Sequence, residues 1–166
     1  MKAFRIRSGA GIGSLESFER APAALVPGQV RIKVRAASLN FRDLMIAEGS
    51  YLSDSAAPVI PGSDAVGEII EVGPGAGRWR IGDRVATSFF PYWHTGAVTP
   101  HNSRDALGAA VDGVLAEEIV AAEDSLFAVP DHLDDAQAAT LTCAGVTAWN
   151  ALFADSQLRP GQSVLL

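Results

Sequence analysis

Up to residue 130 the chain is cut by glycine and proline into short β-type runs; after residue 130 the pattern changes. "QVRIKVRA" (29–36) alternates strictly, with Val30, Ile32 and Val34 against Arg31, Lys33 and Arg35, as in a strand with one wet face. "AVGEIIEVG" (65–73), "RWRIGDRVATSFF" (78–90), "GVLAEEIVA" (113–121) and "SLFAVP" (125–130) read as further strands, the second entered through a Gly-Asp turn. Between them "LNFRDLMIAEG" (39–49) reads as a short helical turn, with Asn40 as N-cap and Gly49 as stop. Short strands punctuated this way belong to a barrel or a sandwich.

Beyond residue 130, "DHLDDAQAATL" (131–141) and "AGVTAWNALFA" (144–154) fill with Ala and Leu and read as helices. "RPGQSVLL" (159–166) is a Pro-Gly turn into a short, fully apolar strand. Such strands belong to buried parallel sheets, which need crossovers of a dozen or more residues. The sequence is therefore expected to stop just where a second, α/β domain begins.

Two glycine clusters invite a nucleotide-binding reading: "GAGIG" (9–13) and "GPGAG" (73–77). A phosphate loop must follow a strand and open a helix, because the helix N-terminus supplies the N–H groups. Residues 73–77 lead into another strand-like run, and residues 14–23, "SLESFERAPA", make at best a weak helix cut by Pro22. Both clusters are expected to be hairpin or barrel-corner glycines.

Composition narrows the function. The chain has 166 residues, 48% of them hydrophobic and 19% charged, which suits a globular fold with a proper core. A net charge of −6 argues against nucleic acid or an anionic membrane as partner. No apolar run approaches the roughly 18 residues of a membrane helix. The start, "MKAFRIRSGAG", lacks a signal-peptide core, which points to the cytoplasm. The one cysteine, Cys143, has no partner for an internal disulfide.

Taken together, "AASLNFRDL", "PGSDAVGEIIEVG", "RWRIGDRV", "DGVLAEEIV", "LTCAGVTAWNAL" and "RPGQSVLL" resemble, in order and wording, the medium-chain dehydrogenase/reductase superfamily. The succession spans nearly the whole chain. The resemblance implies a mainly β (α+β) chain. Residues 1–130 would form a GroES-like partly open β-barrel, the catalytic domain. Residues 131–166 would be the first helices and first strand of a truncated Rossmann domain. It also implies NAD or NADP as cofactor, a small-molecule substrate in the cleft between the domains, and a homo-oligomer for the complete protein.

The superfamily has zinc and zinc-free branches. Zinc members carry a Cys where Asn40 stands, and a His–Glu pair where Ser63 and Asp64 stand. A catalytic zinc needs at least three thiolate, imidazole or carboxylate ligands. Cys143 matches a third ligand position but would stand nearly alone, and the four-cysteine lobe is missing. His94, His101 and His132 are not at ligand spacing. No zinc is expected, and Cys143 reads as a small buried residue.

Without zinc the resemblance narrows to the quinone and enoyl reductase branch, where hydride transfer is the cofactor's chemistry and the protein supplies orientation and a proton. Enoyl-reducing relatives carry a Tyr eleven residues after the Asn. Tyr51 stands at that spacing from Asn40 in "NFRDLMIAEGSY". The resemblance makes Tyr51 a hydrogen-bond or proton donor to the substrate; the bland alternative is a loop aromatic with a wet hydroxyl. Asn40 is either a polar contact to the nicotinamide end or substrate, or a simple helix cap. Thr147 matches a threonine whose helix passes beneath the nicotinamide ring; helix packing is its alternative. Asp43 and Asp64 match acidic positions around the lost metal site, and would hold turns or pair with Arg42 or Arg84. The run "FFPYW" (89–93) lines an apolar pocket, belongs to an ordinary core or forms a lid.

The reading is thus the catalytic part of a zinc-independent NAD(P)(H)-dependent oxidoreductase acting on an enone, quinone, carbonyl or alcohol. The 166-residue chain by itself is expected to be inactive. The rival is a stand-alone GroES-like binding or scaffold module without catalysis.

Overall fold

The computed structural model describes residues 1–51 and 57–165. Seven strands carry the architecture: β1 (Lys2–Arg5), β2 (Glu16–Glu19), β3 (Gln29–Ser38), β4 (Asp64–Val72), β5 (Arg84–Thr87), β6 (Glu118–Ala122) and β7 (Leu126–Ala128). Five form an antiparallel sheet in the order β6-β3-β4-β5-β7, and β1 pairs with β2 as a separate ribbon. Isolated bridges Ala3–Ala116 and Ile6–Val59 join that ribbon to the rest, giving a curled, partly open barrel.

The alternation in β3 puts Val30 and Ile32 into a core with Ile69, Val85 and Leu126. Arg31, read as wet, is in fact buried: Nε donates to Glu71 at 2.7 Å and Nη2 to the carbonyl of Ala23 at 2.7 Å. A long cation can stay inside when its donors are spent this way.

Helix α1 (Phe41–Glu48) begins after Asn40, whose backbone is extended, and ends at Gly49 in the left-handed conformation, φ +74°. Helix α2 (Asp135–Ala139) is shorter than 131–141. Asp134 caps it, accepting from the Gln137 N–H at 2.7 Å, so the chain before it cannot be helical. Ala138 and Ala139 pack on Val66 and Ala86, which covers the second face of β4 and leaves Ala65, Val66 and Gly67 all buried. Arg84 ties α2 down, donating to Asp135 Oδ1 at 2.7 Å and to the Leu133 carbonyl at 2.9 Å. The last helical stretch is α3 (Val146–Trp149), flanked by wide π-type turns at Leu141–Gly145 and Asn150–Asp155.

Four expectations need correction. Residues 16–19 are a strand, because β1 supplies a ladder partner that local composition does not reveal. Residues 78–83 are turns, and only 84–87 of the 78–90 run is strand. Residues 113–117 are not strand either. The N–H of Gly113 donates to the Ile60 carbonyl at 2.7 Å, that of Val114 to Pro61 and Gly62, and that of Glu117 to Lys2. Finally, Ser163–Leu165 form no strand among the described residues, since a strand exists only through pairing and none lies beside them; Leu166 is outside the described residues.

The strap at 108–114 lies hard against the 60–64 segment. A Cβ on Gly113 would stand 1.9 Å from the Gly62 carbonyl oxygen, so only glycine permits the approach.

Candidate active site

A cleft of about 740 Å³ opens between the ends of β5 and β7 and the helical stretch 138–147. Phe89, Phe90 and Trp93 form one wall, and Phe127 and Val129 add apolar surface. Cys143, Val146 and Thr147 face them, and Tyr51 also lines the cleft. The aromatic wall follows from the chain leaving β5. The Ser88 hydroxyl donates to the Phe90 carbonyl at 3.0 Å and turns the backbone. Phe89 and Phe90 then meet edge to face at 4.6 Å, with Trp93 6.0 Å from Phe90. Of the three roles open for residues 89–93, the pocket-lining one matches what is seen. The cleft volume lies within the usual span of small-molecule sites, about 300–1,000 Å³.

A buried polar cluster adjoins the cleft. The Asn40 amide donates to Asp64 Oδ2 at 2.6 Å, and the Thr142 hydroxyl donates to Asp64 Oδ1 at 3.1 Å. Asp64 is fully buried. Burial pushes its carboxyl above the usual carboxylate range, and the hydrogen bonds from Asn40 and Thr142 only partly offset this. Ser63, also fully buried, lies beside it. Thr87 locks the strand ends here, accepting from the Ala65 N–H at 3.0 Å and donating to the Ser63 carbonyl at 2.9 Å.

Tyr51 and Thr147 therefore share one cleft. Asn40 does not line it, but reaches it through Asp64 and the cleft residue Thr142. Asn40 does sit at the cap position, where its own N–H donates to Asp43 Oδ2 at 2.8 Å. Among the described residues neither Asp43 nor Asp64 forms an ion pair with Arg42 or Arg84, because Asp43 caps α1 and Arg84 is taken by Asp135. Thr142 is the residue that sequence reasoning passed over. It adjoins Cys143, but its partner lies 78 positions away.

The donors gathered around Asn40, Ser63, Asp64 and Cys143 fit zinc poorly. They are an amide, a hydroxyl, one buried carboxyl and the Cys143 thiol, and burial together with Asp64 pushes that thiol above its ordinary value, away from the thiolate zinc requires. Among the described residues no group of three or more His, Cys, Asp or Glu is placed to hold a metal. His94 lies at the surface, 3.6 Å from Asp124, and His101 and His132 are exposed.

Neither glycine cluster is a phosphate cradle. The N–H groups of Gly9 and Gly11 donate to the Ile46 and Ala47 carbonyls at the end of α1, and residues 12–14 make only a single 3₁₀ turn. The N–H groups of Gly77 and Arg78 both donate to the Glu123 carboxylate, at 2.8 and 2.7 Å.

A partly open GroES-like barrel with an apolar cleft at its helical edge defines the catalytic-domain part of a medium-chain oxidoreductase. Residues 26–131 match the alcohol dehydrogenase GroES-like domain, and the chain belongs to that family. A zinc-type alcohol dehydrogenase-like protein of Schizosaccharomyces pombe is 41% identical over 147 residues, 87% of this chain and 42% of that protein. The solved structure of an NAD-dependent alcohol dehydrogenase superposes with a TM-score of 0.85 at 26% identity, covering 97% of this chain and 49% of that one. A quinone oxidoreductase of Pseudomonas syringae pv. Tomato DC3000 gives a TM-score of 0.74 at 27% identity, covering 97% of this chain and 43% of that one. The chain thus spans about half the length of the relatives it matches.

Proposed function

We propose that this chain is the substrate-side half of an NAD(P)(H)-dependent, zinc-independent oxidoreductase that reduces an apolar enone, quinone or carbonyl, or runs the reverse oxidation. The observation that carries the reading is the shared cleft of Tyr51 and Thr147, walled by Phe89, Phe90 and Trp93. The aromatic wall excludes water and takes up a flat, apolar substrate. Bound NAD(P)H supplies the hydride. Thr147, exposed on α3, contacts the nicotinamide end. Tyr51 donates a hydrogen bond or proton to the substrate oxygen. Asn40 keeps the buried Asp64 carboxyl turned toward Thr142 and so holds the floor of the site. Residues 131–166 on this reading begin the nucleotide-binding domain, whose pyrophosphate anchor is neither of the glycine clusters described above.

The test is Tyr51→Phe in the complete enzyme, assayed at steady state with an enone. Turnover is expected to fall more than about tenfold with cofactor affinity nearly unchanged. A change of less than about twofold in turnover would return Tyr51 to the role of a loop aromatic.

A further inference from the structure

Arg42, on α1, is only 8% exposed. Its guanidinium carbon stands 4.7 Å from the centroid of the Tyr51 ring and 4.4 Å from that of Phe89. Nη1 donates to the Leu107 carbonyl at 2.8 Å. Among the described residues Nε and Nη2 are buried with no hydrogen-bond partner and with no carboxylate in an ion pair. A buried cation with stranded donors lowers stability. An uncharged side chain of the same length would fill this space without that cost. What the guanidinium adds is a flat, charged group within cation–π distance of two aromatic rings.

Both of those rings line the cleft. Among the described residues Tyr51 is otherwise held by one backbone bond, from its N–H to the Met45 carbonyl at 3.2 Å. Phe89 follows β5, and Leu107 directly precedes the strap that lies against Gly62. One side chain thus gathers three separate stretches of chain at the cleft wall.

We propose that Arg42 is the positioning residue of the site: its guanidinium plane fixes the rings of Tyr51 and Phe89, and its charge favours the negative charge that develops on the phenol oxygen as Tyr51 donates. The second half of this statement rests on the donor role proposed for Tyr51; the first does not.

The experiment is NMR of the 166-residue chain with ring-labelled tyrosine, the Tyr51 and Tyr92 signals being assigned with Tyr51→Phe. Arg42→Met keeps the length and removes the flat group and its charge; Arg42→Lys keeps the charge alone. Both are expected to move the Tyr51 signals and leave Tyr92 in place, with the far-UV circular dichroism unchanged. Tyr51 signals that overlay the parent's in Arg42→Met overturn the proposal. If Arg42→Met does not fold, the same overlay in Arg42→Lys overturns it. In the complete enzyme Arg42→Met is expected to lower turnover by about tenfold or more, to leave the KM for cofactor within about twofold, and to add nothing in the Tyr51→Phe background. Full additivity there would sink the coupling. A Tyr51→Phe enzyme with normal turnover would remove the donor role, while the ring signals still decide whether Arg42 holds Tyr51.

Discussion

Asn40 and Asp64 meet side chain to side chain at 2.6 Å, so the residue at the helix-cap position also donates its amide N–H to the barrel. The helix start is served by Asp43, which accepts from the Asn40 N–H. The amide thereby becomes one of two donors that fix a fully buried carboxyl, the other coming from Thr142 across the cleft floor.

That carboxyl gives a pH prediction. Its folded value is raised by burial, so the folded chain holds this proton more tightly than the unfolded chain does. Stability from this group is present at low pH and is lost as pH climbs from the ordinary carboxylate value, about 4, through the raised folded value. Asp64→Asn removes the titration and keeps the shape, with Thr142 able to reverse its hydroxyl. Urea unfolding of both forms across this range should show the parent losing ground to the variant as pH rises. Parallel curves would mean that Asp64 stays ionised at no cost.

Gly113→Ala should be severe. Its new methyl would press on the Gly62 carbonyl oxygen, which belongs to backbone and cannot swing away. A loss of about 3 kcal/mol is expected, at the upper end for overpacking. Thermal unfolding measures it, with Gly75→Ala as a control: that glycine has open space around it and differs by its positive φ alone. A loss at Gly113 of less than about 1 kcal/mol would show that the strap shifts to admit the methyl.

The zinc prediction concerns the same corner of the molecule. Protein purified without chelator is expected to carry less than about 0.1 zinc per chain, because amide and hydroxyl replace ligands and the thiol is held protonated. Elemental analysis decides it, and one tightly held zinc per chain would refute it.

Residues 146–153 leave Val146, Trp149 and Phe153 exposed, with Trp149 66% exposed and its ring 4.7 Å from that of Phe153. An apolar stripe of this kind drives association. Light scattering of the 166-residue chain should show mass rising with concentration. The double variant Trp149→Glu, Phe153→Lys should remain monomeric. Self-association that survives the double change would place the contact elsewhere.

Much of the barrel was legible because its signals are local. Alternation marked β3, and Asn40 and Gly49 marked both ends of α1. Residues 113–117 misled because they carry strand composition while their N–H groups are claimed by residues 60–62 and Lys2, which no window of neighbours reveals. Residues 16–19 misled for the opposite reason, as poor strand formers made into a strand by the β1 ladder. Of the residues lining the cleft, Tyr51 was singled out through spacing and resemblance and Thr147 through resemblance. The Asn40–Asp64–Thr142 chain links positions 24 and 78 residues apart, and the Arg42 stack depends on side-chain packing; neither leaves a periodic trace.

The Glu123 carboxylate seated on the N–H groups of Gly77 and Arg78 does more than fasten a turn. Those two donors converge on one carboxylate oxygen, so an anion already sits on them. An approaching phosphate would find them taken and would meet Coulomb repulsion from the occupant. The glycine-rich corner is thereby a filled anion seat, carrying its own internal competitor, and the chain offers a dinucleotide no false landing place there.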